Sequence, residues 1–256
     1  IIKGVFNQQS TADVNHSALI ERLEFADGST RTWSQITQAG IVQIGSDGDD
    51  TMIGYSGIDE IHGGAGNDTI DGGNSANRLY GGSGDDVIKV DPSSSSNLLA
   101  GGTGNDMLYG SRYADTYLFN LGDGIDTIIE TNGYTNTTDV LRFGEGIAPE
   151  DIQTLRVGND LVLAHTNGSD KVIIKGVFNQ QSTADVNHSA LIERLEFADG
   201  STRTWSQITQ AGIVQIGSDG DDTMIGYSGI DEIHGGAGND TIDGGGGANR
   251  LYGGSR

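Results

Sequence analysis

The residues best suited to bind a ligand are aspartates at the sixth position of glycine-rich nonapeptides. Residues 63–71 read GGAGNDTID, and GGSGDDVIK (81–89) and GGTGNDMLY (101–109) follow the same formula. Glycine corners turn backbone carbonyls inward, and stacked strands bring equivalent carboxylates about 4.8 Å apart. Bare carboxylates at that spacing repel by about 3 kcal/mol at an effective dielectric constant of about 20. A hard cation with about six to eight oxygen ligands removes this repulsion, which favours Ca²⁺ over the octahedral Mg²⁺.

The aspartates divide into two rows, because alternate nonapeptides face opposite edges of the stack. We call the uninterrupted row the strong edge and the row that contains amides the weak edge. The strong edge comprises Asp50, Asp68, Asp86, Asp106 and Asp126, and later Asp222 and Asp240. The weak edge comprises Asp59, Asn77, Asn97 and Asp115, and later Asp231 and Asn249. Amide oxygens are neutral, so we expect up to about four ions on the first strong edge and few on the weak edge. Asp68→Ala should therefore remove more calcium than Asp59→Ala.

The eighth position of each nonapeptide is apolar and predicts the core. A helix would not tolerate so many glycines, whereas short strands with glycine corners would. Two nonapeptides then form one coil of a parallel solenoid with a thin core. The predicted core residues are Met52, Ile61, Ile70, Leu79, Ile88, Leu99, Leu108, Tyr117 and Ile128.

A long internal repeat sets the organisation of the chain. Residues 1–83 recur at 173–255, and the copies differ only where Asn74-Ser75 becomes Gly246-Gly247. Such near-identity indicates a tandem array. Because the sequence begins without methionine and ends within a repeat, we expect it to be a segment of a longer protein.

Composition narrows the class of partner. The net charge of −22 disfavours nucleic acid and anionic membranes, which attract positive charge. There are no cysteines, and no apolar run approaches the length of a membrane span. No histidine lies in an H-E-x-x-H frame, and no G-K-[ST] follows a glycine turn. We therefore expect neither a catalytic site nor an organic cofactor.

The three quoted turns resemble the repeat of the RTX family, the haemolysin-type calcium-binding proteins. The resemblance covers residues 45–129 and 217–256, and it implies an all-β fold, a parallel β-roll with several Ca²⁺ ions between adjacent turns. It also implies that carbonyls of the first positions of each turn join the sixth-position aspartates as ligands. On the strong edge those carbonyls belong to Gly45, Asp47, Gly63, Ala65, Gly81, Ser83, Gly101, Thr103, Gly217, Asp219, Gly235 and Ala237.

The segment between the blocks is predicted to form an antiparallel β module. VLRF (140–143) indicates a strand, APEDI (148–152) a helical turn, and Asn167-Gly168 a hairpin. Residues 191–205 predict a second hairpin, followed by a short helix that ends at Gly212. The expected domains are 1–44 (half of this module), 45–129 (first roll), 130–216 (complete module) and 217–256 (truncated second roll). Because 1–44 lacks its partner strands, we expect it to pack less regularly than 173–216, or to pair with another chain.

These features together predict a non-catalytic, calcium-dependent folding and spacer segment. The resemblance implies a bacterial protein exported by type I secretion to the medium or the cell surface. Its parent would be an adhesin or a toxin, and neighbouring tandem repeats would be its contacts. The alternative is a calcium-dependent module that binds a glycan or another host-surface ligand, in an adhesin or a secreted enzyme.

Overall fold

The computed structural model describes residues 22–25, 27–130, 137–178 and 192–254, and most of its elements are short strands. The first strands are β1 (Arg22–Glu24), β2 (Thr30–Thr32), β3 (Val42–Ile44), β4 (Thr51–Ile53), β5 (Glu60–Ala65), β6 (Thr69–Asp71), β7 (Arg78–Ser83) and β8 (Val87–Lys89). They are followed by β9 (Leu98–Thr103), β10 (Met107–Tyr109), β11 (Thr116–Phe119), β12 (Ile125–Ile129), β13 (Val140–Phe143), β14 (Ile152–Val157), β15 (Asp160–His165) and β16 (Lys171–Ile174). The last strands are β17 (Arg194–Glu196), β18 (Thr202–Thr204), β19 (Val214–Ile216), β20 (Thr223–Ile225), β21 (Glu232–His234), β22 (Thr241–Asp243) and β23 (Arg250–Tyr252). The helices are α1 (Trp33–Gln38) and α2 (Trp205–Ala211), with a 3₁₀ turn at Pro149–Asp151.

Consecutive nonapeptides alternate between two facing sheets. One contains eight strands in the order β18-β17-β13-β11-β9-β7-β5-β3, and the other contains eleven, of which β12-β10-β8-β6-β4 come from the first block. Within the roll every strand pairs in parallel with the strand one coil away, as β5 does with β7 and β6 with β8. The predicted parallel β-roll is therefore confirmed.

The core consists of two rows of eighth-position side chains, one from each of these facing sheets. All nine predicted core residues are buried, from Met52 at 8% exposed to Ile61 and others at 0%. The pairing register stacks like positions, for example Ile61 on Leu79 and Leu79 on Leu99. Each coil thus contributes one large side chain per sheet, so the roll buries little apolar surface per residue.

Glycine is required where backbones of successive coils nearly touch. Gly82 has φ of 120°, and a Cβ there would collide with the carbonyl oxygen of Gly64. The weak edge departs from this rule at Ser75, whose φ is 78°. Gly247 occupies the same position in the second copy, with φ of 87°.

The segment after the first roll is antiparallel only within its hairpins. β15 and β16 form the hairpin that Asn167-Gly168 predicts, and β14 also pairs with β15 in antiparallel fashion. The two outer strands of this group pair in parallel with strands outside it, β16 with β12 and β14 with β19. β13, which we expected in the antiparallel module, instead pairs in parallel with β11 and β17. This pairing prolongs the core, since Leu141 and Phe143 stack on Tyr117 and Phe119.

The second predicted hairpin and its helix are present. β17 and β18 pair around Asp199-Gly200, and α2 follows Thr204 directly. The helix ends at Gly212, whose φ of 97° explains the glycine. Among the described residues, no helix is both long and apolar enough to cross a lipid bilayer.

The two copies of this hairpin differ in packing. β17 joins the eight-stranded sheet, whereas β1 and β2 pair with each other and with no other described strand. Phe197 is accordingly 4% exposed, and its counterpart Phe25 is 46% exposed. The described part of 1–44 therefore packs less regularly than its second copy, while residues 1–21 and 179–191 lie outside the described ranges.

Candidate calcium sites

One carboxylate oxygen of each strong-edge aspartate joins successive coils. The amide N–H of Asp50 donates to Asp68 Oδ1 at 2.7 Å, and that of Asp68 donates to Asp86 Oδ1 at 2.7 Å. The row continues through Asp106 at 2.7 Å to Asp126 at 3.2 Å. Because every coil supplies the acceptor for the one before it, the aspartate is a structural part of the corner.

In five of the strong-edge aspartates the other carboxylate oxygen has no donor among the described residues. Oδ2 is buried and lacks a hydrogen-bond partner in the described part of the chain at Asp68, Asp86, Asp106, Asp126 and Asp240. A buried carboxylate oxygen that loses its water without a replacement is strongly destabilising. This one atom, repeated coil after coil, is the most conspicuous unsatisfied polar feature of the structure.

These oxygens line small spaces that only glycine leaves open. A Cβ atom added at Gly63 would collide with Asp68 Oδ2 and lie 2.5 Å from the Gly81 carbonyl oxygen. At Gly81, the added atom would collide with Asp86 Oδ2 and lie 2.5 Å from the Gly101 oxygen. We call such a space a cradle. Each cradle brings a carboxylate oxygen of one coil together with a carbonyl oxygen of the next, which is the mixed donor set that Ca²⁺ favours.

The remaining predicted carbonyls are placed differently. The oxygens of Ser83 and Thr103 accept the amide N–H groups of Gly66 and Gly84, at 2.9 and 2.8 Å. A carbonyl oxygen has two lone pairs, so each could still contact an ion. A Cβ atom added at Gly101 would collide with Asp106 Oδ2, and one added at Gly235 would collide with Asp240 Oδ2 and with Gly253 O. At the first coil of each block, a Cβ atom added at Gly45 or Gly217 would likewise collide with the carbonyl oxygen of the next coil, that of Gly63 or Gly235. Asp47, Ala65, Asp219 and Ala237 lie in the same turns.

Burial makes Asp68, Asp86, Asp106 and Asp126 of the first block harder to ionise without a cation. Burial raises the pKa of Asp86 to about 6, with neighbouring Asp68 adding repulsion. The pKa values of Asp106 and Asp126 are also raised, first by burial and then by nearby carboxylates. A bound divalent ion would offset both effects, so the donor set fits calcium on electrostatic as well as geometric grounds.

The first coil of each block is an exception. Asp50 Oδ2 accepts hydrogen bonds from the Ser46 amide at 2.6 Å and the Ser46 hydroxyl at 2.8 Å. Asp222 has the same two donors in Ser218, at 2.7 and 2.9 Å. Sequence spacing placed these aspartates with the others, but their carboxylates are already partnered by serine.

The side-chain amides of the weak edge donate hydrogen bonds to carbonyl oxygens of their own turns. Asn77 Nδ2 donates to the carbonyl oxygens of Gly72 at 2.8 Å and Asn74 at 3.0 Å. Asn97 Nδ2 donates to Ser95 O at 2.6 Å, and Asn249 Nδ2 donates to Gly246 O at 2.9 Å. Their Oδ1 atoms still accept from the previous coil, as Asn77 does from Asp59 at 3.0 Å. The amide therefore keeps the coil-joining bond and satisfies the inward carbonyls itself.

Weak-edge aspartates are also partnered within their own turns. Asp59 Oδ2 accepts from the Tyr55 amide at 2.5 Å, and Asp231 Oδ2 accepts from the Tyr227 amide at 2.7 Å. Asp115 Oδ2 accepts from the Ser111 amide at 2.7 Å. None of these three oxygens is among the orphaned atoms of the described residues.

Two further features escaped the sequence analysis. The fifth residue of each strong-edge turn forms its own row, in which Asp49 Oδ1 accepts the Asn67 amide and Asn67 Oδ1 accepts the Asp85 amide. The recurring Asn-Asp or Asp-Asp pair was the signal for it. The weak edge also continues to Asp139, whose Oδ1 accepts the Asp115 amide at 2.7 Å. Its spacing of 24 residues hid it from the nonapeptide count.

Comparison with known families agrees with this geometry. The model of the RTX calcium-binding nonapeptide repeat matches four times, at residues 44–76, 53–88, 93–128 and 216–251. The repeat blocks belong to the RTX family. Residues 160–207 match the haemolysin-type calcium binding protein related domain, which overlaps the hairpins between the two RTX blocks. The described turns thus match calcium-binding repeats, and the strong-edge cradles bring carboxylate and carbonyl oxygens of these turns together.

A curated relative covers part of the same region. The Iron-regulated protein FrpA of Neisseria meningitidis serogroup C is 31% identical over 109 residues, which is 43% of this chain. The chain spans only 9% of that relative's length.

Proposed function

We propose that this chain is a non-catalytic segment that folds when it binds calcium and then acts as a rigid spacer in a secreted protein. The observation that carries the proposal is the row of buried strong-edge Oδ2 atoms without donors. Without a cation these atoms oppose folding, and with one they become ligands that hold successive coils together.

The proposed ligands lie on the strong edge. Asp68, Asp86, Asp106 and Asp126 would each supply Oδ2, and Asp240 would do so in the second block. Glycine carbonyls of the adjoining coil, such as those of Gly81 and Gly101, would complete the set. Asp50 and Asp222 would contribute only if calcium displaced their serine donors, so the terminal sites should be the weakest.

The weak edge would be a metal-independent seam from Asp59 to Asn97 and from Asp231 to Asn249. The amide groups of Asn77, Asn97 and Asn249 fill the corners that an ion would otherwise occupy. The carboxylates of Asp59 and Asp231 accept amide donors of their own turns. One edge would therefore hold the coils in register while the other made their stability depend on calcium.

Such a division suits export through a narrow channel. RTX resemblance supports type I secretion, in which a chain leaves a low-calcium cytosol unfolded and folds outside. A site saturated at about 100-fold above its Kd adds about 2.7 kcal/mol, so several sites together contribute an amount comparable to the roughly 5–15 kcal/mol stability of a typical domain. The net charge of −22 would oppose premature compaction inside the cell.

The tandem organisation supports the spacer role. We propose roll blocks at 45–129 and 217–256, separated by a module over 130–216 and preceded by its half-copy over 1–44. Parallel pairing of β14 with β19 continues the eleven-stranded sheet into the second block, which suits a stiff rod. The parent protein would be an adhesin or a toxin.

A calcium titration tests the proposal. Far-ultraviolet circular dichroism and size exclusion would follow the chain during addition of Ca²⁺, with EGTA reversal and Mg²⁺ as the control. We expect a cooperative, calcium-specific gain of β structure with compaction. A compact β-rich chain in EGTA that ignores calcium would overturn the proposal.

A further inference from the structure

A second cluster of acidic side chains lies outside the strong edge, where the first roll meets β13. Asp115, Glu130 and Asp139 each place a carboxylate oxygen within 4.8 Å of the others. Asp115 precedes β11, Glu130 follows β12, and Asp139 precedes β13. Three separate segments of the chain therefore direct carboxylates to one point.

Glu130 occupies a position that other coils give to glycine. It follows its strand as Gly110 follows β10, Gly72 follows β6 and Gly54 follows β4. Its carboxylate lies against the backbone of Gly110, where an added Cβ would be 2.8 Å from both Glu130 oxygens. The cluster is thus built like a strong-edge cradle, with a glutamate of the next coil in place of a backbone carbonyl.

The cluster contains an orphaned oxygen. Glu130 Oε1 accepts the Tyr117 hydroxyl at 2.5 Å, whereas Oε2 is buried and has no donor among the described residues. Although residue 130 as a whole is partly exposed, its carboxylate is buried with those of Asp115 and Asp139. Within the described ranges, no ion pair joins any of these three carboxylates to a basic side chain. The Tyr117 hydroxyl therefore satisfies one oxygen of the glutamate and leaves the other without a donor in the described ranges.

The surrounding hydrogen bonds fix the cluster without neutralising it. Asp115 accepts the amides of Ser111 and Asn97, both at 2.7 Å, and Asp139 accepts the Asp115 amide. The Asp139 amide in turn donates to Glu193 Oε2 at 2.7 Å, which brings a fourth carboxylate nearby. Burial and mutual repulsion raise the pKa of Asp139 to about 7 and that of Glu130 well above its usual range.

We propose that Asp115, Glu130 and Asp139 bind a hard divalent cation of the Ca²⁺ class at the junction between the roll and the segment that follows it. The ion would join the corner before β11 to the start of β13, so it would fasten the following module to the roll. This site goes beyond the strong-edge function, because Glu130 and Asp139 lie outside the nonapeptide matches, which end at residue 128 in this block. Carboxylate ligands and the lack of nitrogen or sulfur donors favour calcium over a transition metal.

Ion counting on the whole chain tests the site. Glu130→Gln keeps the size of the side chain and the acceptor for Tyr117 but removes the charge, so it should bind one ion fewer than the parent sequence at saturating Ca²⁺. Asp86→Asn is the matched control, because it alters a strong-edge cradle and leaves the junction intact. Hydrogen exchange localises the effect, since calcium should protect the amides of Val140–Phe143 in the control but much less in Glu130→Gln.

Asp139→Asn provides an independent second variant, because its Oδ1 can still accept the Asp115 amide. It should lose the same ion and the same protection. An unchanged ion count in either variant would overturn the junction site, and so would failure of both variants to fold at saturating calcium, which would assign the carboxylates a purely structural role. If the ion count were unchanged, calcium would still bind at the strong edge. Failure of the junction site can therefore be distinguished from failure of the proposed calcium-dependent folding.

Discussion

Asp68 and Asn77 hold the same position in consecutive turns, yet the inner ends of their side chains differ in hydrogen bonding. Asp68 Oδ2 is buried without a donor, while Asn77 Nδ2 donates to the Gly72 carbonyl oxygen at 2.8 Å. Both residues use Oδ1 to accept the amide of the coil before them. A change of one atom from oxygen to nitrogen therefore separates a corner that needs a cation from a corner that satisfies itself.

Exchange of that atom should move a corner from one class to the other. Asp68→Asn keeps Oδ1 for the Asp50 amide and gives the cradle an N–H donor. We expect it to bind at least one Ca²⁺ fewer, with a loss of about 2.7 kcal/mol of calcium-dependent stability if the site is normally filled about 100-fold above its Kd. Equilibrium calcium binding and denaturant unfolding would measure both effects.

Asp59→Asn on the weak edge is the control for that variant. Its Oδ2 accepts the Tyr55 amide, which an amide nitrogen cannot do, so the change should lower stability but leave the number of bound ions unaltered. Equal losses of bound calcium from Asp68→Asn and Asp59→Asn would refute the difference between the edges.

The cradles should also be sensitive to one added methyl group. Gly63→Ala would place a Cβ against Asp68 Oδ2 and the Gly81 carbonyl oxygen, although the φ of Gly63 is not in the left-handed region. We expect weaker calcium binding and a destabilisation of about 1–3 kcal/mol, typical of overpacking. The control is Gly48→Ala, because an added Cβ there meets no atom within 4 Å. If both variants titrated with calcium alike, the space beside Asp68 would not be an ion site.

The roll and its core were predictable because their signals are periodic. An apolar residue recurs at every eighth position, and every predicted member, from Met52 to Ile128, is buried. The membership of each edge followed from alternation, which the parallel pairing of β6 with β8 and of β5 with β7 reproduces. Regular spacing of the repeats fixes the register between paired strands, so the sequence was sufficient to predict the core of the roll and the two edges.

Features outside the period could not be predicted. Asp139 lies 24 residues after Asp115, and Glu130 replaces a glycine, so neither matches the nonapeptide formula. The apolar residues of β13 could extend the core of the roll or form a separate core. Both arrangements require the same alternation of apolar and polar residues along the strand, so the sequence does not specify the pairing partner of β13. Serine donors to Asp50 depend on a side-chain rotamer, which spacing does not specify.

Acid should partly replace calcium in the ion-free protein. The pKa of Asp86 rises to about 6 on folding, and those of Asp106 and Asp126 also rise, because the roll buries them. Raised carboxyl pKa values stabilise the fold below the unfolded pKa of about 4, and this contribution is lost as pH rises through the folded pKa. In EGTA, β structure measured by circular dichroism should therefore be greater at mildly acidic than at alkaline pH.

The double variant Asp86→Asn/Asp106→Asn tests the cause of that pH dependence. Its amides do not titrate, so β structure in EGTA should change less with pH than in the parent chain. An unaltered pH dependence would assign the effect to other carboxyl groups.

Backbone strain at Ser75 should be relieved by the residue that the second copy already contains. Ser75 has φ of 78°, a conformation that costs a non-glycine residue about 1–2 kcal/mol. Glycine at this position would remove the strain. Part of that gain is offset by the greater freedom of glycine in the unfolded chain, about 0.5–1 kcal/mol, so Ser75→Gly should stabilise the roll by up to about 1 kcal/mol. Gly247→Ser, the reverse change at the equivalent position, should destabilise it, because its Cβ would also collide with the Gly229 carbonyl oxygen. Calcium-saturated thermal unfolding would measure both, and a lower melting temperature for Ser75→Gly would mean that the hydrogen bond from Ser75 Oγ to Ser56 O outweighs the strain.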